Sequence, residues 1–386
     1  MTNDEIKVLQ KVQEPLIAWY DGAKRDLPWR NDVTPYRVWL SEIMLQQTRV
    51  EAGRDYFLRF TKELPDVEAL ANVSDELLMK LWEGLGYYNR ARNLKKAAGI
   101  IMEQYGGELP SIYEELLELP GIGPYTAGAI ASIAFGRQRP AVDGNVLRVV
   151  MRLLGRYDDI AKDSVKKDVE AALLEVMTVG TSHERPGDFN QSLMELGATV
   201  CIPNGQPHCD ECPWTDNCKA RKQGIQMELP VKLTKKKRRI EKKTVLILRD
   251  EMGRLILHRR DDKGLLAGLW ELPEKSGELS DYVEICDLVE AGEAVHIFSH
   301  VEWHMTALTG TVRLTESGAE AVKPYETVSR GGGAVLGEDR VTELQRPYLR
   351  DVKEEPVRWI LADREQIKNE IALPSAFKGF KKLILE

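Results

Sequence analysis

Apolar residues recur at three- and four-residue spacing through most of the chain as far as Arg221, and the period then changes. Tyr36 to Leu58, Asp75 to Leu85, Arg90 to Tyr105 and Val165 to Val176 each carry this one-sided pattern, which predicts amphipathic helices. Breaks at Pro65, Gly84-Leu85-Gly86, Gly106-Gly107 and Pro110 separate them. Past Gly224 the apolar content falls, and Lys232 to Lys243 holds eight Lys or Arg residues against one Glu, the composition of a solvated linker. Thr244 to Arg249 and Arg254 to His258 are short β-rich runs on either side of Met252-Gly253, which predicts a hairpin. Val295 to Phe298, Trp303 to Leu308 and Val357 to Leu361 predict further strands, and Val328 to Gly337 a loop. The pattern divides the chain into a helical domain (1–224), a basic linker (225–243) and a smaller α+β domain (244–386).

At 386 residues the chain is too long for one ordinary core, which agrees with that division. No apolar run reaches membrane-spanning length, and Asp4 and Glu5 stand where a signal peptide would carry basic residues. The expectation is a chain without a membrane partner in a reducing cytosol, nucleoid or nucleus, where clustered cysteines mean metal more often than disulfides. A net charge of −7 is the wrong scale on which to judge nucleic-acid binding, because local placement of Lys and Arg decides it.

The chemistry concentrates in two short segments. In Leu119-Pro-Gly-Ile-Gly-Pro-Tyr-Thr-Ala127, Pro120 stops one helix, Gly121 and Gly123 permit a tight turn, and an Ala-rich helix starts near Tyr125. Such a turn leaves backbone N–H groups free to approach an anionic oxygen. Val142-Asp-Gly-Asn-Val146 then places a carboxylate, Asp143, just ahead of another helical run, where it also suits a helix N-cap. A phosphate grip beside a fixed carboxylate is what an enzyme acting on a DNA sugar needs.

Cys201, Cys209, Cys212 and Cys218 fall in one segment, with Cys286 far away. Soft sulfur ligands select zinc or an iron–sulfur cluster, and the spacing alone does not separate them. A single compact loop with one CxxC suits a [4Fe–4S] cube better than the two separated knuckles of a zinc ribbon. His208 reads as an exposed loop residue.

Together the hairpin, Asp143 and the four cysteines resemble the helix-hairpin-helix glycosylases of the endonuclease III superfamily. Leu27-Pro-Trp-Arg30, Pro35 to Thr48 and Trp82-Glu-Gly-Leu-Gly-Tyr-Tyr88 narrow the resemblance to the adenine DNA glycosylases, the MutY family, over essentially the whole chain. One departure is that seven residues separate Cys201 from Cys209 where the family usually has six. The resemblance implies an all-α helix-hairpin-helix domain with a [4Fe–4S] loop on the four cysteines, followed by a Nudix-like domain. The implied partner is double-stranded DNA carrying adenine opposite 8-oxoguanine, bound by a monomer. Glu42 becomes the acid that protonates adenine, its pKa raised by an apolar surround, while Asp143 stays ionised and stabilises or captures the sugar cation. Tyr125 stands where bifunctional relatives carry a Schiff-base lysine, which implies base removal without strand cleavage, with its hydroxyl near Asp143. Asn145 orients the acid or its water.

Further implied contacts follow. Arg25, Leu27, Trp29, Arg30 and Leu45 line an adenine pocket with Thr48 beside it. Gln47 and Tyr87 hold the duplex open, and Gly121 and Gly123 meet phosphate, as do Lys219, Arg221 and Lys222. Gly264 to Pro273 resembles the Nudix fold, in which Phe298, Ser299 and His300 match the loop that probes 8-oxoguanine, and Ala372 to Ser375 also fits the family. A Nudix hydrolase needs a magnesium-binding Arg-Glu-x-x-Glu-Glu box, and the nearest approach, Arg350 to Glu355, has Asp351 in place of the first Glu and lies far downstream of Trp270-Glu-Leu-Pro273. Two rival readings remain, a non-catalytic lesion sensor and a bifunctional lyase.

Overall fold

The structure, a computed structural model, describes residues 1–233, 237–274, 278–325 and 357–386. The chain separates into two compact units, Met1–Asn72 with Arg92–Lys235, and Val73–Ala91 with Lys236–Glu386. Among the described residues no helix is long and apolar enough to cross a membrane.

The first unit is helical. Its central helix, Gly144–Leu154, is buried along nearly its whole length, and its apolar side chains meet those of Pro186–Thr199, Asp163–Val176 and the two N-terminal helices in one core. The two basic residues inside it are tied to backbone instead of being left unpaired. Arg148 Nε donates to the Cys201 carbonyl at 2.8 Å, and Arg152 donates to the carbonyls of Leu229 and Ile202 at 2.8 and 2.9 Å. The cysteine segment is thereby fastened to the helix that Asp143 caps.

The continuous apolar period from Tyr36 to Leu58 conceals a break. Pro35–Leu45 and Val50–Glu63 are separate helices, and Gln47 between them has φ 59°, a left-handed conformation uncommon outside glycine. The segment expected to be a solvated linker is structured at both ends. Leu229 is buried and Val231 forms a β-bridge with Asp159, while Arg239 to Lys243 already belong to a strand. Backbone pairing is indifferent to charge as long as the side chains reach solvent, so a basic composition did not prevent a strand.

Among the described residues, the second unit is built on a mixed seven-stranded sheet in the order β4-β5-β1-β2-β7-β6, with β3 paired to β2. The strands are β1 (Arg239–Arg249), β2 (Leu255–Arg259), β3 (Trp270–Glu271), β4 (Val283–Ile297), β5 (Val301–Leu314), β6 (Val322–Pro324) and β7 (Trp359–Ala362). The expected β1–β2 hairpin forms around Gly253 at φ 77°, and β1 also runs parallel to β5 along its length. Trp303, Val301 and Met305 line the buried face with Phe377 and Phe380. The helix Asp75–Trp82 is held in this unit by Lys80 Nζ, which donates to the carbonyls of Ile367 and Ile371 at 3.3 and 3.0 Å. Glu83 adds a bond from the Leu373 N–H at 2.9 Å. Val328 to Gly337 and Arg350 to Glu355 lie outside the described residues.

Candidate active site

The helix Pro35–Leu45 starts at a Thr34 cap, with Pro35 in its first turn, and runs almost wholly buried, so Glu42 on its inner face is taken out of water. The helix Pro124–Ile133 follows the hairpin. Gly121 sits at φ 82°, and a side chain there would bring Cβ to 2.8 Å from that of Asn93. Gly123 has extended backbone that any residue adopts, and nothing lies within 4 Å of an added Cβ. Gly121 is therefore required by the turn, whereas Gly123 leaves open space beside it. Asp143 caps the helix Gly144–Leu154 by accepting from the Val146 N–H at 2.8 Å.

These elements close on a cavity of about 170 Å³ lined by Glu42, Tyr125, Asp143 and Asn145. Arg25, Leu27, Trp29, Arg30, Leu45 and Thr48 line the same cavity. Gln47 and Gly123 instead line a wider cleft of about 970 Å³ that shares Glu42, Tyr125 and Asp143 with the pocket. Tyr87 and the Phe298-Ser299-His300 turn belong to the second unit. Tyr87 is exposed with φ 48°. Phe298 packs edge-on against Trp303 with centroids 4.9 Å apart, which leaves the exposed Ser299 and His300 at the tip between β4 and β5.

Burial acts on both carboxyls. Burial pushes the Glu42 carboxyl up to about 7, with the Tyr125 hydrogen bond opposing, Asp143 adding to the rise and Arg30 opposing it. Burial also raises Asp143, while the N–H of Val146 and the amide of Asn145 pull it back. The Tyr125 hydroxyl, expected near Asp143, donates to Glu42 Oε2 at 2.5 Å in the pocket that Asp143 also lines. Asn145 likewise serves Asp143 and not the acid. Its Nδ2 donates to Asp143 Oδ2 at 2.6 Å and its Oδ1 accepts from Arg148 at 2.9 Å. These partners follow from position, because the Asn145 amide is two residues from Asp143 on the same cap, while Tyr125 rises from the helix that packs on Pro35–Leu45.

Sequence reasoning missed Glu195. It is 1% exposed, lines the pocket, and accepts from Arg25 Nε and Nη2 at 2.7 and 3.0 Å and from Arg30 Nη2 at 2.8 Å. Burial alone would raise its pKa, but the two guanidiniums outweigh this and pull it down to about 2. Its only local signal was a charge inside the apolar run of Pro186–Thr199, and its partners lie some 170 residues earlier in the chain.

Cys201, Cys209, Cys212 and Cys218 line one small cavity with Arg152 and Arg221. Arg152 Nη1 lies 3.3 Å from Cys201 Sγ. Among the described residues no three His, Cys, Asp or Glu side chains gather tightly enough to share a single metal ion. Arg221, read as a phosphate contact, is paired with Asp210 at 2.7 Å.

Residues 40–175 match the HhH-GPD superfamily of base excision DNA repair proteins, and residues 244–335 match the NUDIX domain. The chain is similar to the adenine DNA glycosylase of Mus musculus, with 35% identity over 80% of this chain and 72% of that protein. It is 34% identical to the Arabidopsis thaliana adenine DNA glycosylase, over 93% of this chain and 67% of that one. The Buchnera aphidicola (Schizaphis graminum) enzyme of the same name is 35% identical over 67% of this chain and 73% of its own. Among solved structures, a trapped endonuclease III–DNA covalent intermediate is 25% identical over 58% of this chain and 99% of that chain, with a TM-score of 0.48. Sequence similarity thus extends over two thirds or more of each of these relatives, alongside matches to the helix-hairpin-helix and NUDIX families, and the chain belongs to the adenine DNA glycosylase family.

Proposed function

We propose that this chain, acting as a monomer, hydrolyses the N-glycosidic bond of adenine opposite 8-oxoguanine in duplex DNA and leaves the strand intact. The observation that carries this reading is Glu42, a carboxyl buried against an apolar helix face, bonded by Tyr125 and raised to about 7, so that it holds a proton near neutral pH. Adenine leaves far more easily once a ring nitrogen is protonated, and Glu42 faces the pocket where an extruded base would sit. Departure of the base leaves an oxocarbenium-like sugar, and Asp143, fixed by Val146 and Asn145, supplies negative charge beside it. Glu42, deprotonated by its first step, then accepts a proton from the attacking water.

Tyr125 has no amine with which to form a Schiff base, which supports base removal without strand cleavage. The hairpin N–H groups and the cleft that Gln47 lines fit a phosphate backbone. In the second unit Ser299 and His300 present polar groups at an exposed turn suited to reading the opposite guanine. The four cysteines fit a [4Fe–4S] cluster. All are sulfur donors on one cavity, and the Arg152 guanidinium offsets the negative charge of a thiolate-bound cluster. The cluster, when bound, supplies a rigid anchor for the basic helix Lys219–Gln223.

A single-turnover assay on duplexes with adenine opposite 8-oxoguanine, with and without alkali, tests the reading. The expected result is strand breaks only after alkali, with the rate reduced at least ~100-fold in Glu42→Gln. Tight binding without adenine release would leave a lesion sensor, and breaks without alkali would restore the lyase.

A further inference from the structure

We propose that Glu195 is a positioning residue for this reaction, holding the Arg25 and Arg30 guanidiniums against one wall of the pocket and cancelling their charge opposite Glu42. The inference rests on the reading of Glu42 as the acid. Two arginines converge on one carboxylate. Arg25 gives its backbone N–H and Nε to Oε1 at 3.1 and 2.7 Å, and its Nη2 meets Oε2 at 3.0 Å beside Arg30 Nη2 at 2.8 Å. Arg30 is further fixed by donating to the Arg25 carbonyl at 3.1 Å and by lying over the Tyr20 ring, 5.5 Å from its centroid. Among the described residues the one other carboxylate within ion-pair distance of either arginine is Glu51, 3.9 Å from Arg25 and 80% exposed.

The charged and titratable groups that face Glu42 are Tyr125 from Pro124–Ile133, Asp143 from the cap of Gly144–Leu154, and Arg30 from Pro28–Asn31. Arg30 is the cation among them, and a cation favours the ionised Glu42, the form with no proton to give. Glu195 stays ionised throughout the working range, so it screens that attraction at every pH the enzyme meets. Without its charge the pocket gains a net positive unit, and Glu42 ionises at lower pH. The arginines thus remain available to shape the pocket without disarming the acid.

The test is the pH profile of single-turnover adenine release, from about pH 5 to about pH 9, for wild type, Glu195→Gln, Glu195→Asp and Glu42→Gln. Glutamine keeps the shape and removes the charge. The alkaline limb should move to lower pH by about one unit, so that release at high pH falls about tenfold further than at low pH. Aspartate keeps the charge with a shorter reach, and its limb should stay at the wild-type pH while the rate drops throughout. A glutamine variant slowed equally at every pH overturns the proposal, as does an aspartate variant whose limb moves. Should the glutamine variant not fold, judged by circular dichroism, the aspartate limb decides alone. An active Glu42→Gln would overturn the acid reading itself, whereas an inactive one beside an unmoved Glu195→Gln limb overturns only the role of Glu195.

Discussion

Glu42 is isolated from water by its own helix, and that isolation has a thermodynamic signature separate from catalysis. Its folded-state pKa, about 7, lies above the ordinary 4.5, so the folded protein holds this proton more tightly than the unfolded chain does. The corresponding stability is fully present below about pH 4.5 and is lost as pH rises through 7. Replacing Glu42 with Gln removes the titration. The melting temperature of Glu42→Gln relative to wild type should therefore climb between acidic and mildly alkaline pH, by on the order of 3 kcal/mol when expressed as free energy. A difference that does not vary with pH would mean that Glu42 titrates normally. Much of this residue's setting was legible in the sequence, because Trp39-Leu-Ser-Glu-Ile-Met-Leu45 surrounds it with apolar side chains on one helix. Its bond to Tyr125 was not, since the two are 83 residues apart.

At the scale of elements, periodicity located two of the long helices to within a residue or two and overran Asp75–Trp82 by three residues. Arg90 to Tyr105 is the helix Asn89–Tyr105, and Val165 to Val176 is Asp163–Val176. Where it failed, a competing local force explains the failure. The turn at Gln46 to Arg49 preserves the apolar spacing across a break, so one period covers two helices. Short β3 and β6 hold too few residues to show alternation, and β4 begins well before Val295 because its exposed, bulged length lacks an apolar face. Close helix packing around the hairpin is testable. A Cβ on Gly128 would stand 2.1 Å from the Pro140 carbonyl oxygen, while one on Gly144 meets nothing within 4 Å. Gly128→Ala should cost about 2 kcal/mol or more in urea unfolding, and Gly144→Ala, in the first helical turn, should be neutral or slightly stabilising. Equal effects from the two substitutions would refute the packing argument.

At the scale of the whole molecule, the turn that bears Ser299 and His300 and the loop that bears Tyr87 belong to one compact unit, while Glu42 and Asp143 belong to the other. If the unit bearing Ser299 and His300 reads the damaged guanine, Phe298→Ala together with His300→Ala should leave adenine release opposite guanine nearly unchanged. The same double variant should slow release opposite 8-oxoguanine by about tenfold, the loss of one good contact. Comparable slowing on both duplexes would place the turn in general DNA binding. The sequence by itself determined the two-part organisation, the hairpin and the cysteine set, because each is written in local spacing or in a run of contiguous residues, whereas the pairing of Glu42 with Asp143 was implied by the family resemblance. Only the tertiary structure decided that Tyr125 serves Glu42, that Asn145 serves Asp143, that Glu195 binds two arginines, and that Val73–Ala91 joins the later unit. Those pairings join residues whose side-chain directions depend on how separate helices pack, and the burial that makes such bonds strong exists only after the chain has closed around them.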